Sequence, residues 1–170
     1  GGVICVDRET GMELNPVSVD ATPENVVTNA TYLYRWTLDN NPAVIATTPT
    51  LAVTASGTYN VTIEAVYEDA TGTEVARCSY STQTTFMFES APIFTVSVLE
   101  DSFTPSGVYT VVIDPASIMG VGTTQYEFSI DNGPYQTDLT FENVSPGVHT
   151  VFGRSDENGC APTEVTVRIL

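Results

Sequence analysis

The stretch Gly57-Thr58-Tyr59-Asn60-Val61-Thr62-Ile63-Glu64-Ala65-Val66-Tyr67-Glu68 decides the class of fold. From Tyr59 onward, apolar side chains fall on every second position (Tyr59, Val61, Ile63, Ala65, Tyr67), with Asn60, Thr62 and Glu64 between them. That is the period of a strand with one face buried, because successive side chains of an extended chain point to opposite sides. The same reading applied outward gives about ten to fourteen short strands, the clearest at 17–21, 32–38, 51–55, 59–68, 75–81, 94–99, 109–113, 125–130, 148–154 and 164–170. Turn signals separate them: Asp39-Asn40-Asn41-Pro42, Ser56-Gly57, Ala70-Thr71-Gly72, Asp131-Asn132-Gly133-Pro134, Ser145-Pro146-Gly147 and Asn158-Gly159. No segment carries a helical stripe. Composition agrees, since 26 Thr and 22 Val among 170 residues supply β-branched material throughout. The class is all-β.

Charge excludes several functions. Twenty-one acids face five arginines and no lysine, a net charge of −16. Without a lysine amine there is no Schiff base and no P-loop phosphate contact. Nucleic acid and anionic lipid are bound mainly through clustered Lys and Arg, so neither is an expected partner. No run approaches the length needed to span a bilayer, and the start, Gly1-Gly2-Val3-Ile4-Cys5, lacks the features of a signal peptide. The chain reads as an excised piece or a mature form.

Aromatic, glycine and cysteine landmarks repeat. Tyr34-x-Trp36 answers to Tyr126-x-Phe128, and Gly57-Thr58-Tyr59-Asn60-Val61 answers to Gly147-Val148-His149-Thr150-Val151. The spacing from tyrosine to glycine is 23 residues in the first copy and 21 in the second, so one architecture is used twice with a small loop difference. A proline after Glu89-Ser90-Ala91 disfavours continuation of the strand-like run before it, which places the boundary there. The expectation is two tandem antiparallel Ig-like or PKD-like β-sandwich domains, residues 1–91 and 92–170.

The landmarks of the first copy, Cys5, Tyr34-x-Trp36, Gly57-x-Tyr59-x-Val61 and Cys78, resemble the PKD-like or Ig-like modules repeated in large secreted proteins of the Bacteroidetes. The second copy is closer to a particular module. Its segments 126–136 (Tyr-Glu-Phe-Ser-Ile-Asp-Asn-Gly-Pro-Tyr-Gln) and 141–151 (Phe-Glu-Asn-Val-Ser-Pro-Gly-Val-His-Thr-Val), with Arg154-x-Asp156-x-Asn158-Gly159-Cys160, resemble the one that precedes a gliding-motility-type C-terminal sorting domain. The resemblance implies export by the type IX secretion system and an extracellular or cell-surface location. The sorting domain itself is absent from this sequence.

Individual residues carry further expectations. Trp36 shares a strand face with Tyr34 and Tyr32 and is expected to pack between sheets. Tyr59, two residues after Gly57, resembles a tyrosine corner whose hydroxyl ties down the preceding loop, and His149 holds the matching place in the second copy. Cys5 opens the first copy and Cys78 closes it, so a Cys5–Cys78 disulfide is expected; the counterpart of Cys5 in the second copy is Ser97, which leaves Cys160 without a partner in its own module, as a buried thiol or, alternatively, in a bridge to a neighbouring module or chain. No cofactor or metal is expected; Asp131, Asp156 and Asn158 place hard oxygen ligands on loops and are weak candidates for calcium, since neither loop completes an EF-hand-like series.

Catalytic signatures are missing. Gly120-x-Gly122 lacks the later glycine of a dinucleotide loop, and there is no Gly-x-Ser-x-Gly elbow. The acids at Glu68-Asp69, Glu100-Asp101 and Asp156-Glu157 adjoin turns, where carboxylates cap or face solvent. The sequons at Asn29, Asn60 and Asn143 are read as structural. The sequence therefore points to a non-catalytic surface module, an adhesin stalk or interaction segment whose partners are neighbouring modules and a surface glycan or protein. The alternative is a carbohydrate-binding module accessory to a polysaccharide-degrading enzyme, with Tyr67, Tyr80, Tyr109 and Tyr135 as the stacking platform.

Overall fold

The computed structural model describes residues 1–99, 107–122, 125–155 and 160–170. Twelve strands are formed among them: β1 (Gly2–Cys5), β2 (Ser18–Asp20), β3 (Ala30–Leu38), β4 (Thr50–Ala52), β5 (Gly57–Glu68), β6 (Glu74–Glu89), β7 (Val96–Leu99), β8 (Tyr109–Ile113), β9 (Tyr126–Ile130), β10 (Thr140–Val144), β11 (Gly147–Ser155) and β12 (Thr163–Ile169). The one helical element described is a 3₁₀ turn at Pro115–Ser117, opened by Asp114, whose carboxylate accepts from the Ala116 amide at 3.0 Å. The protein is all-β, and its strands gather into two compact units, Gly1–Ile4 with Asn15–Met87 and Cys5–Leu14 with Phe88–Leu170.

In the first unit the order β1-β6-β5-β3 makes a four-stranded sheet, and β2 pairs with β4 as a second, much smaller layer. The alternation of the opening stretch becomes the buried face of β5: Tyr59, Val61, Ile63 and Ala65 are all buried. Paired residues of antiparallel strands share a face, so the register Trp36↔Val61 puts Trp36 on the same side. Trp36 is 2% exposed and its indole N–H donates to the Thr48 carbonyl at 2.8 Å, which satisfies the one polar atom that burial would otherwise strand. Beside it, Tyr59 and Phe86 meet edge to face, ring centroids 6.2 Å apart.

The second unit is a β-sandwich. Sheets β10-β8-β7 and β12-β11-β9 share one core, to which Val111 and Ile113, Phe141 and Val144 come from the first sheet and Phe128, Val151 and Ile169 from the second. Phe94 completes it, edge to face on Phe128 at 5.1 Å. A Cβ at Gly153, which pairs with Phe128, would come within 2.6 Å of the Phe94 ring, so glycine is required there to let the two rings meet.

The repeat is visible in the register. Trp36 pairs with Val61 and exchanges backbone bonds on its other side with the 45–46 segment (Trp36 N to Ala46 O 2.9 Å); Phe128 pairs with Gly153 and bonds Gln136 in both directions at 2.8 Å. The pairs Trp36↔Val61 and Phe128↔Gly153, like Leu38↔Tyr59 and Ile130↔Val151, hold at one constant offset in sequence. The glycines break it: Gly147 enters β11 two residues before the place that Gly57 occupies on β5.

The expected Cys5–Cys78 bridge is corrected by the structure. Cys5 is bonded to Cys160, with Cα atoms 5.5 Å apart, and Cys78 is free and exposed. The reason is the path of the chain after β1. Residues Cys5–Leu14 leave the first unit and pack with the second, where the Val6 amide donates to the Glu89 carbonyl at 2.8 Å and Cys160 Sγ lies 3.4 Å from the same oxygen. Cys78 stays in the first unit opposite Ala65 on β5. The bridge closes a separation of 155 residues, for which chain-entropy arguments give a stabilisation of about 5 kcal/mol at most.

Two outcomes follow. Without reduction, alkylation should label Cys78 alone, and peptide mapping should recover the Cys5–Cys160 pair; a label on Cys160 would contradict the bonding described. Trp36→Ala should cost about 3–5 kcal/mol in chemical denaturation, because it leaves both a cavity and an unpaired Thr48 carbonyl.

Candidate functional site

The polar landmarks of the sequence are tied into loop closures. Tyr59, at 2% exposure, accepts from the amides of Thr54 (3.2 Å) and Ala55 (3.1 Å) and donates to the Ala55 carbonyl (2.9 Å). One hydroxyl therefore fixes the turn that feeds β5. Asp39, at positive φ just past β3, accepts from the Thr58 amide at 2.8 Å, while Asn60 Nδ2 donates to the Asp39 carbonyl. Gly57, at φ 147°, is required because a Cβ there would meet Asp39 Oδ1 at 2.8 Å.

His149 performs the same closure with different chemistry. Its Nε2 bonds the Ser145 carbonyl at 2.8 Å, four residues back as Tyr59 reaches Ala55, and its Nδ1 lies 2.6 Å from Asp131 Oδ2. Asp131 Oδ1 accepts from the Thr150 amide at 3.0 Å. Asp131 and Asn132 both sit at positive φ, and the Gly133 amide donates to the Ile130 carbonyl at 2.9 Å; Asp131-Asn132-Gly133 is thus a tight turn. Of the calcium candidates, Asp131 has both oxygens engaged in that closure, and Asp156 and Asn158 lie outside the described residues. Among the described residues no three His, Cys, Asp or Glu side chains converge on one point. Asp69 binds the amides of Thr71 and Thr73 and so caps its own turn, while Glu100, Asp101 and Glu157 are outside the described residues.

Electrostatics tighten the His149 closure. The Asp131 carboxylate and the Ser145 carbonyl raise His149 above its ordinary value of 6.5 against a smaller effect of burial. For Asp131 burial pushes upward most strongly of the single effects, but the bonds from His149 and the Thr150 amide together outweigh it and leave the carboxyl below 3.8.

The four tyrosines of the expected stacking platform are divided between the two units. Tyr109 packs against the core of the second unit, and the Tyr135 ring lies beneath the Arg154 guanidinium at 3.7 Å. Tyr67 and Tyr80, by contrast, share the inner face of the first unit's sheet with Tyr32 and Tyr34. The cross-strand rows are Tyr34–Ile63–Tyr80, Tyr32–Ala65–Cys78 and Ala30–Tyr67–Ala76. In the middle of these rows Ile63 and Ala65 are buried, and Thr22 and Val27 reach Tyr34 and Tyr32, whereas the β6 end of each row is exposed. Tyr80 is 51% exposed and Cys78 is exposed, whereas Tyr32, whose hydroxyl accepts from the Val27 amide at 3.2 Å, and Tyr34 are half-buried. Burial, and next the neighbouring Tyr80, keep the Tyr34 hydroxyl above its usual value. Alternation placed Tyr32 and Tyr34 on the Trp36 face; nothing in the sequence marks how far the covering layer extends.

No protein-family model matches the chain, and no curated protein matches it. Among solved structures it is similar to the amphioxus IgVJ-C2 molecule, at 12% identity and TM-score 0.47 over 98% of this chain and 99% of that one. It is also similar to the fibronectin(III)-like modules of Clostridium thermocellum CbhA, at 13% identity and TM-score 0.37 over 99% and 89%. At such values neither likeness says what this chain binds. No described helix is long and apolar enough to cross a membrane.

The His149–Asp131 closure predicts a pH dependence with a definite sign. A raised histidine contributes fully below its unfolded value and loses that contribution as pH climbs through the raised one; a lowered carboxyl loses its contribution as pH falls through the lowered one. The melting-temperature difference between the native chain and His149→Gln should therefore be larger near pH 5.5 than near pH 8.5, at about 0.1 M salt. A difference that grows with pH would show that the pair does not close the loop as described.

Proposed function

We propose that the chain is a non-catalytic, extracellular interaction segment: two Ig-like modules in tandem within a large secreted or surface-displayed bacterial protein of the adhesin-stalk kind. The observation that carries this reading is how the polar landmarks are used. Tyr59, Asp39 and His149, together with the calcium candidate Asp131, hold loops to strands. A segment that transmits load or spaces a binding tip needs such closures and needs no reactive group. Cys5–Cys160 supports the location, since a structural disulfide persists in oxidising surroundings and rarely in a reducing cytosol. The lysine-free surface supports protein or neutral glycan partners over nucleic acid. Export by the type IX route and a place next to a sorting domain are what the resemblance of the second repeat adds. The reading needs no cofactor.

The carbohydrate-binding alternative keeps one favourable observation, the shared face of Tyr32, Tyr34, Tyr67 and Tyr80, of which Tyr80 is the ring most open to solvent. Two experiments separate the readings. Antibodies raised against this chain should label intact cells of the source organism without permeabilisation, and signal only after lysis would overturn the surface assignment. On a glycan array the stalk reading expects no retained glycan; binding that Tyr80→Ala abolishes would replace it with the carbohydrate reading.

A further inference from the structure

Strand β6 has a neighbour on only part of its length. It pairs with β5 from Phe86 back to Glu74, but β1 is four residues long, and Gly1 already lies against the Thr85 carbonyl. Among the described residues, then, the stretch from Glu74 to Gln83 has β5 on one side and no paired strand on the other. Such an edge presents a row of unpaired amides and carbonyls, a template for another strand. This one carries no proline or lysine, and its register with β5 runs unbroken from Phe86 to Ala76.

The parity of the edge can be read. The Thr85 carbonyl faces β1, on the side away from β5, and backbone groups alternate sides along a strand. The amides and carbonyls of Ser81, Ser79 and Arg77 therefore point outward, and those of Cys78 point to β5. Cys78 stands at the middle of the ten-residue edge, free and exposed.

We propose that this edge is a self-association surface: β6 pairs antiparallel with β6 of a second copy about a two-fold axis at Cys78, and the two Cys78 thiols join as a disulfide. A second copy paired about this axis necessarily sets a thiol opposite this thiol, which an unrelated strand has no built-in reason to do, and that selects the second copy as occupant. In that register Arg77 exchanges backbone bonds with Ser79 of the second copy, and Val75 does so with Ser81. Ala76 faces Tyr80, and Glu74 faces Thr82, so no like charges stand opposed. Cys78 falls at a non-hydrogen-bonded pair, where Cα atoms are about 4.5 Å apart, within disulfide reach. Isologous pairing of this kind closes at two chains.

The oxidant is a small-molecule disulfide. The thiolate of one Cys78 attacks it and forms a mixed disulfide, releasing one small thiol. The thiolate of the second Cys78 then attacks the protein sulfur of that mixed disulfide and releases the second small thiol. One protein disulfide forms and one small disulfide is consumed; the two electrons and both cysteine protons leave on the two released thiols. None of this depends on the stalk reading.

The test uses the unreduced chain with oxidised glutathione, read by non-reducing electrophoresis and light scattering. The native chain should become a covalent dimer. Ser79→Pro removes only an outward-facing amide, so it should keep the native melting temperature and slow dimer formation at least about tenfold; Ser81→Pro is the second variant should the first not fold. In a Cys78→Ser background, Ala76→Cys mixed with Tyr80→Cys should cross-link as a heterodimer. A monomer that stops at the glutathione adduct, a folded edge-proline variant that dimerises at the native rate, or no heterodimer from the mixed pair would each overturn the proposal.

Discussion

In both repeats an aromatic side chain is held in the core by its own backbone, and much of the surrounding structure follows from that constraint. Trp36 is paired to Val61 on one side and bonded to Ala46 on the other; Phe128 is paired to Gly153 and bonded to Gln136. With a register partner on one flank and both backbone groups bonded on the other, neither residue can slip by one position without turning its ring from core to solvent. The register of β3 on β5 and of β9 on β11 is fixed together with the burial of the ring. The next residues in each repeat are then committed: Asp39 and Asp131 both take positive φ beyond the strand end and both accept an amide from the partner strand.

Where the repeats diverge, chemistry compensates. The second copy enters its strand two residues earlier, and there the ring that reaches four residues back is an imidazole in place of a buried phenol. A phenol at 2% exposure can satisfy two amides and a carbonyl with one oxygen. An imidazole has one nitrogen for the carbonyl and needs a partner for the other, which Asp131 supplies. The second closure therefore carries a histidine raised above its ordinary value and a lowered carboxyl, and its hold on the loop depends on pH.

The strands, the repeated aromatic pair and the loop-tying roles of Tyr59 and His149 were legible because each leaves a local mark: a period of two, a fixed spacing, a glycine two residues ahead. The cysteine pairing was not. Spacing within the first repeat made Cys78 the natural partner of Cys5, but the disulfide depends on where the 5–14 segment packs, a long-range choice with no local signature. The exposure of Tyr80 beside the half-buried Tyr32 and Tyr34 was hidden for a related reason. Alternation on β3 and β5 says which side chains share a face, whereas coverage depends on residues such as Thr22 and Val27, which belong to another part of the chain.

A sequence without lysine has lost one of the usual means of protecting a sheet edge, since a long charged side chain on an edge strand deters an incoming one. On β6 the cation near the open stretch is Arg77, and it is drawn down onto Glu74 at 2.9 Å and Glu64 at 3.5 Å on the outer face of the sheet. Its charge is thereby paired with carboxylates of its own sheet rather than held out along the edge. What keeps two copies apart is then the net charge of −16, a diffuse repulsion that salt screens over about 8–10 Å. A short-range directional attraction along the edge thus competes with a long-range repulsion that the ionic environment sets. Raising ionic strength should strengthen pairing at this edge, opposite to its effect on an association held by ion pairs.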